Sequence, residues 1–223
     1  KSDTALILYS RRYITYHRSV RIFQIMEFIH TFELQPSFGI NVKFYDNVNI
    51  NDDSKEVAQI RNERNVNEES NGVKIYFNVD LVPGIFTILT AANKTVSRYN
   101  SEKGEFKLKT NSIASEFLYN LSPFTSITNA LKAFGMDGRT TKKVGVIHFY
   151  RTKSNNSNNS GSSRSESPSI NATLISIQDA FDFSTDNERY NRIKKYCKLS
   201  NEELSLSTID DAFASHITMR DVK

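Results

Sequence analysis

Apolar positions recur most regularly between Pro83 and Gly135, and the rest of the chain reads around that stretch. After Pro83-Gly84, the residues Ile85, Ile88, Leu89, Ala92, Val96 and Tyr99 fall on one stripe at helical spacing, with Asn93, Lys94, Ser97 and Arg98 opposite, which predicts an amphipathic helix. The segment 116–121, Glu-Phe-Leu-Tyr-Asn-Leu, is short, aromatic-rich and closed by Ser122-Pro123; it predicts a strand broken by a residue that cannot donate to a ladder. Thr125 or Ser126 then caps a helix whose Ile127, Ala130, Leu131 and Phe134 recur at i, i+3, i+4 and i+7, and Gly135 ends it.

Upstream, alternation over residues 27–32 and 40–45 predicts two strands joined through Gln35-Pro36-Ser37 as a hairpin. Asp52-Asp53-Ser54 caps an expected helix from Lys55 to about Arg64, followed by a polar loop, and residues 73–82 read locally as a strand. Residues 101–110 read as a basic loop. The near-continuous apolar run 144–150 predicts a buried strand, placed beside 116–121. Residues 154–168 are Asn/Ser-rich and too polar to pack, so a disordered insertion is expected there. Beyond it, 170–177 fits a short helix or a strand. Residues 186–199 predict a helix with Tyr190, Ile193 and Cys197 on one face and Lys194, Lys195 and Lys198 near its end. Ser200-Asn201-Glu202-Glu203 is a capping-box pattern, and a last helix from about Ile209 carries Ile209, Ala212, Phe213 and His216 on one stripe. The sum is a single α+β domain, a small and mainly antiparallel sheet flanked by helices.

Composition narrows the function classes. A single Cys excludes a disulfide framework and a multi-thiolate zinc site, and the four His residues, at 17, 30, 148 and 216, are too scattered for a metal centre. With only eight Gly, no phosphate-cradling loop is present, and no nucleophile sits with a base, so no catalytic constellation is read. Cys197 reads as a core thiol and His148 as a structural side chain. No apolar run is long enough to span a bilayer, and a soluble protein is expected. The formal charge is +4, but residues 1–25 hold five Lys/Arg against one Asp, leaving 24 of each sign from Met26 on. Net charge therefore does not point to nucleic acid. Lys94 and Arg98 stand one helical turn apart with Lys107 and Lys109 on the following loop; these four are either a phosphate-binding cluster or a solvated face. Phe106 is the candidate stacking surface for an unpaired base.

Three ordered segments carry a family resemblance. Ala91-Ala92-Asn93-Lys94, then Asn120-Leu121-Ser122-Pro123, then Ile127-x-x-Ala130-Leu131-x-x-Phe134-Gly135, resemble the signature of the PRPK-binding subunits of the KEOPS (EKC) complex. The resemblance extends through residues 26–48, 196–200 and 218–222. In the family, the region 73–82 is largely a connection. Met26 resembles the family's start, so residues 1–25 are expected to be an upstream or vector-derived extension, with a targeting segment as the competing reading. The resemblance implies a non-catalytic subunit without cofactor or metal, resident in cytoplasm and nucleus. It implies binding to the small kinase/ATPase of the complex and help in holding tRNA by its 3′ CCA end for threonylcarbamoyladenosine formation, with a role in telomere maintenance and transcription. The tRNA residues it brings forward are Asn93, Lys94, Arg98, Lys107 and Lys109; the kinase-binding residues are Phe213, Ile217, Met219, Arg220 and Val222. The competing reading is a kinase-regulating module that does not touch RNA.

Overall fold

The computed structural model describes residues 27–33, 35–46, 72–99, 108–136, 143–152, 173–184 and 186–222. The expected helix at 55–64, the loop at 65–71, the insertion at 154–168, residues 1–26, Phe106 and Lys107 lie outside them. The chain order is β1 (Glu27–Phe32), β2 (Gln35–Asp46), β3 (Val73–Asn78), α1 (Ile85–Tyr99), α2 (Ile113–Asn120), α3 (Ile127–Phe134), β4 (Val144–Arg151), β5 (Thr173–Ile175), α4 (Ile177–Ala180), α5 (Asn187–Cys197), α6 (Asn201–Leu206) and α7 (Ile209–Met219).

The expected α+β domain with an antiparallel sheet is what forms. The sheet runs β1-β2-β4-β3, every pairing is antiparallel, and β5 adds to the end of β2 on the β1 side, because Phe44 and Tyr45 pair with β4 and β5 at once. The alternation expected for the first two strands becomes the register Phe28↔Val42 and His30↔Ile40. Ile40, Val42, Phe44, Ile75, Phe77, Ile147 and Phe149 face the helices and are buried there. A smaller cluster of Tyr45, Tyr76, Val144 and Val146 occupies the other face. Gly145 lets the sheet close on its core side: a Cβ there would stand 2.2 Å from the Phe77 ring.

Residues 116–121 correct the sequence reading. Residues 116–120 belong to a helix, α2, with Leu121 as its C-cap, and its N-cap Ser112 accepts a hydrogen bond from the Ser115 amide. Ile113, Phe117, Leu118 and Leu121 are buried at helical spacing. Phe117 meets Phe77 and Phe149 edge-on, so the aromatics that suit a sheet lie across it instead of within it. Burial and a local cap outweigh the weak strand preference of Phe and Tyr. β4 consequently lies between β2 and β3, not beside 116–121. Residues 73–82 are also divided: the strand ends at Asn78, and a turn follows, closed by Val82 N donating to Val79 O at 2.9 Å.

Other boundaries fall where capping chemistry places them. Ser126 caps α3, Asp186 caps α5, and Thr208 caps α7. Ser200 and Glu203 form the expected capping box at α6. Of the ambiguous 170–177 stretch, the described part is strand over Thr173–Ile175, and the helical turn α4 begins only at its last residue, Ile177.

Candidate functional site

α1 has two buried faces. One, carrying Ile88, Ala92 and Val96, packs on the core; the other, carrying Thr87, Ala91, Lys94, Thr95 and Arg98, turns toward α7 and α2. Only Asn93 and Ser97 of the expected polar side stay exposed. The helix begins after Gly84 with no acidic residue in its first turn, and Asp210 of α7 supplies the missing anion. Its carboxylate accepts from the amides of Phe86 and Thr87, both at 2.9 Å, and from Thr87 Oγ1 at 2.6 Å. Gly84 makes room for it, since a Cβ there would fall 2.1 Å from Asp210 Oδ2. Burial nevertheless raises the Asp210 carboxyl above its usual range, opposed by the Thr87 and Phe86 hydrogen bonds.

At its other end α1 enters an ion network. Arg98 Nη1 donates to Glu116 Oε1 at 2.6 Å and to Asn120 Oδ1 at 3.3 Å, while Nη2 donates to Asp221 Oδ2 at 2.6 Å. Lys94 Nζ reaches the same Asp221 oxygen at 2.8 Å and the Ile217 carbonyl at 2.7 Å, so it also serves an open end of α7. Lys109 Nζ binds Asp221 Oδ1 at 2.9 Å. Arg220 lies 4.0 Å from the Tyr119 ring centroid and donates to the carbonyls of Tyr119 and Ser122 at 2.8 and 2.7 Å, to Asn120 Oδ1 at 2.9 Å, and to Asp221 Oδ1 at 3.3 Å. Glu116 is fully buried, and its second oxygen accepts from Lys109 N, Thr110 N and Thr110 Oγ1. Burial lowers the Lys94 ammonium, with the Asp221 hydrogen bond opposing it. The Asp221 carboxyl is held far below its ordinary range: burial works against this, and hydrogen bonds from Lys94, Lys109 and Arg220 outweigh it.

The sequence-predicted residues are thus partly gathered and partly withdrawn. Lys94, Arg98 and Lys109 converge, but on Asp221 and Glu116 instead of on open solvent; their side chains are 18%, 10% and 45% exposed. Asn93 is exposed beside them. Of the proposed kinase contacts, Phe213 and Ile217 are core residues and Arg220 is buried, so none of the three is offered to a partner in this conformation. They recur at the helical spacing of α7's inward face. Met219 and Val222 are exposed, at 59% and 72%. His216 pairs with Glu203 of α6 at 2.8 Å. Cys197 is buried and its thiol is pushed up to about 12, as expected of a core thiol.

Four residues of these networks are not marked as site residues by the sequence pattern. Glu116 binds the nearby Lys109 and Thr110 as well as Arg98, while Asp210 and Asp221 act across more than a hundred residues and leave no local signal. Arg189, buried at 1%, had one: it sits one residue before Tyr190 in an otherwise polar helix, next to the inward face. Its guanidinium donates to the carbonyls of Ala180, Val79, Val82 and Asp80 and packs on Phe183. Among the described residues, no group of three His, Cys, Asp or Glu is arranged to hold a metal ion, and no helix is long and apolar enough to cross a membrane.

Residues 45–221 match the family described as kinase binding protein CGI-121. The chain belongs to that family. A relative of this chain is the zebrafish (Danio rerio) protein named EKC/KEOPS complex subunit TPRKB, 29% identical over 174 residues that span 76% of this chain and 87% of that protein. The CGI-121 match runs from the end of β2 to Asp221, and so takes in the whole ion network. Of the signature segments read from the sequence, Asn93-Lys94 brings in the ammonium, and Asn120-Leu121-Ser122-Pro123 brings in Asn120 and the Ser122 carbonyl that Arg220 grips.

Proposed function

We propose that this chain is a non-catalytic subunit of a KEOPS (EKC) assembly that binds the assembly's kinase/ATPase subunit. The observation that carries this reading is the CGI-121 family match over residues 45–221, supported by the zebrafish relative's name. The contact surface is the exposed side of the end of α7, where Met219 and Val222 leave apolar side chains in solvent beside the charged network. Phe213, Ile217 and Arg220 hold that surface in place from inside. Truncation from residue 218 is a poor test, because it also removes Arg220 and Asp221 from three packed elements. The double variant Met219→Asp, Val222→Asp alters only exposed side chains. It should abolish co-elution with the kinase subunit while leaving the unfolding midpoint unchanged; undiminished co-elution would remove this surface from consideration.

The same reading includes a tRNA contact at the 3′ CCA end through Asn93, Lys94, Arg98, Lys107 and Lys109, in support of threonylcarbamoyladenosine formation, with the protein in cytoplasm and nucleus. Exposed Asn93 and half-exposed Lys109 are its outermost described members. Lys109→Glu should weaken tRNA binding and flatten its salt dependence by a slope of roughly 0.7 to 0.9 per lost phosphate contact. Trimming CCA should weaken the unmodified chain more than the variant. A second reading, a kinase-regulating module without RNA contact, is favoured by one observation: Lys94 and Arg98 are already committed to carboxylates. Equal tRNA affinity for Lys109→Glu and the unmodified chain, with kinase binding intact, would select it.

A further inference from the structure

We propose that Lys94, Arg98, Lys109 and Arg220 form a phosphate site whose occupant here is the chain's own Asp221, a tethered anion that must withdraw before a phosphate can enter. Four cationic side chains, from α1, the segment before α2 and the end of α7, meet on the two oxygens of one carboxylate: Lys94 and Arg98 on Oδ2, Lys109 and Arg220 on Oδ1. Against these four stand Asp221 and Glu116, so the described network keeps two positive charges in excess in a largely buried setting. Buried charge without compensation is costly, and a phosphate group brings more negative charge and more acceptor oxygens than a carboxylate into the same space.

The decisive feature is an asymmetry in how the partners are held. Three of the four donor groups have an anchor other than Asp221, and the Lys109 ammonium stands 5.8 Å from the Tyr119 ring centroid. Arg98 is held by Glu116 and Asn120, Lys94 by the Ile217 carbonyl, and Arg220 by Asn120 and the carbonyls of Tyr119 and Ser122; the Lys109 backbone is fixed by Glu116. Asp221 itself lies beyond the last helical residue, Met219, and is followed by exposed Val222. Its withdrawal leaves the donors converged, with three positive charges in excess among the described groups. Such a preformed site has little reorganisation left to do when an anion arrives. Its position also links it to the surface proposed for the kinase, because Met219 and Val222 flank the segment that carries the carboxylate. For the identity of the arriving phosphate, a free one or a phosphodiester of RNA, the proposal rests on the tRNA reading above.

The experiment uses the full chain and its Asp221→Asn and Asp221→Ala variants, titrated with inorganic phosphate at constant ionic strength and with a short single-stranded RNA ending in CCA. Asp221→Asn should bind inorganic phosphate about tenfold more tightly than the unmodified chain or better, since a competing charge at contact distance is gone. Adding Lys109→Ala should reverse most of the gain. Should either Asp221 variant be unstable, phosphate should restore its thermal midpoint, and equal concentrations of chloride should not. A variant that is destabilised, gains no phosphate affinity and is not restored makes Asp221 a structural latch and overturns the proposal. A gain for both phosphate and the RNA supports the site and the tRNA reading together. A gain for phosphate alone supports the site while counting against RNA as its ligand.

Discussion

The guanidinium of Arg189 is spent on carbonyl oxygens, tying α5 to α4 and to the turn after β3. Burial lowers its pKa, with Asp80 and Asp186 opposing. Arg189→Ala should reduce stability by about 3 kcal/mol, because several buried acceptors lose their donor at once. A urea midpoint within error of the unmodified chain would contradict this role. Cys197 makes the complementary case of a group that ought to do nothing. Its thiol, raised to about 12 by burial and secondarily by Glu203, keeps its proton where an unfolded thiol, at 9.0, gives it up. That contribution to stability is complete below pH 9.0 and is lost as pH climbs toward about 12. Iodoacetamide at neutral pH should therefore label Cys197 only in denaturant; rapid labelling of the native protein would refute the assignment.

At the scale of elements, α1 depends on α7. Asp210→Ala should cost about 1 to 2 kcal/mol, the usual range for a lost helix cap, and should speed hydrogen exchange at Phe86 and Thr87 without affecting the middle of α1. Gly84→Ala should have the same exchange signature by a different route, because its Cβ needs the space of the capping carboxylate. Unchanged exchange at both amides would show that the cap is replaceable. The apolar stripe of α1 and the caps at Ser126, Ser200 and Thr208 were legible because each is written within four residues. α2 was not. Its deciding signals were Ser112 upstream and the fit of Phe117 against Phe77 and Phe149, whereas the six residues alone show only aromatic content. The inward helical spacing Ile113, Phe117, Leu118, Leu121 was available, and a longer window would have found it.

For the whole molecule, the class of fold was readable from alternation and helical spacing, but the assembly of the site was not. Lys94, Arg98 and Lys109 could be picked out as cations near one another. That they face inward is decided by Glu116, close by in the chain, and by Asp221, and no local pattern marks a carboxylate that arrives from as far as Asp221 does. The same long-range pairing governs acid stability. Asp221 binds its proton more weakly folded than unfolded, so its contribution is present above its ordinary value of 3.8 and is lost as pH falls below it. Stability should drop below about pH 4 with a steeper slope than that of Asp221→Asn; identical slopes would separate the network from acid unfolding.

The closure between α1 and residue 221 also sets a clock. Arg98 and Asp221 are 123 residues apart. At about 5 to 20 residues per second, a ribosome needs roughly ten seconds to make that interval. For most of it the nascent chain holds α1 without its Asp210 cap, and for all of it Lys94 and Arg98 without Asp221. The central sheet is delayed as well, since among the described strands β3 pairs only with β4. Exposure of this apolar surface to chaperones and proteases is thus governed by translation speed, and pausing between positions 99 and 210 should lower yield even when the finished protein is equally stable.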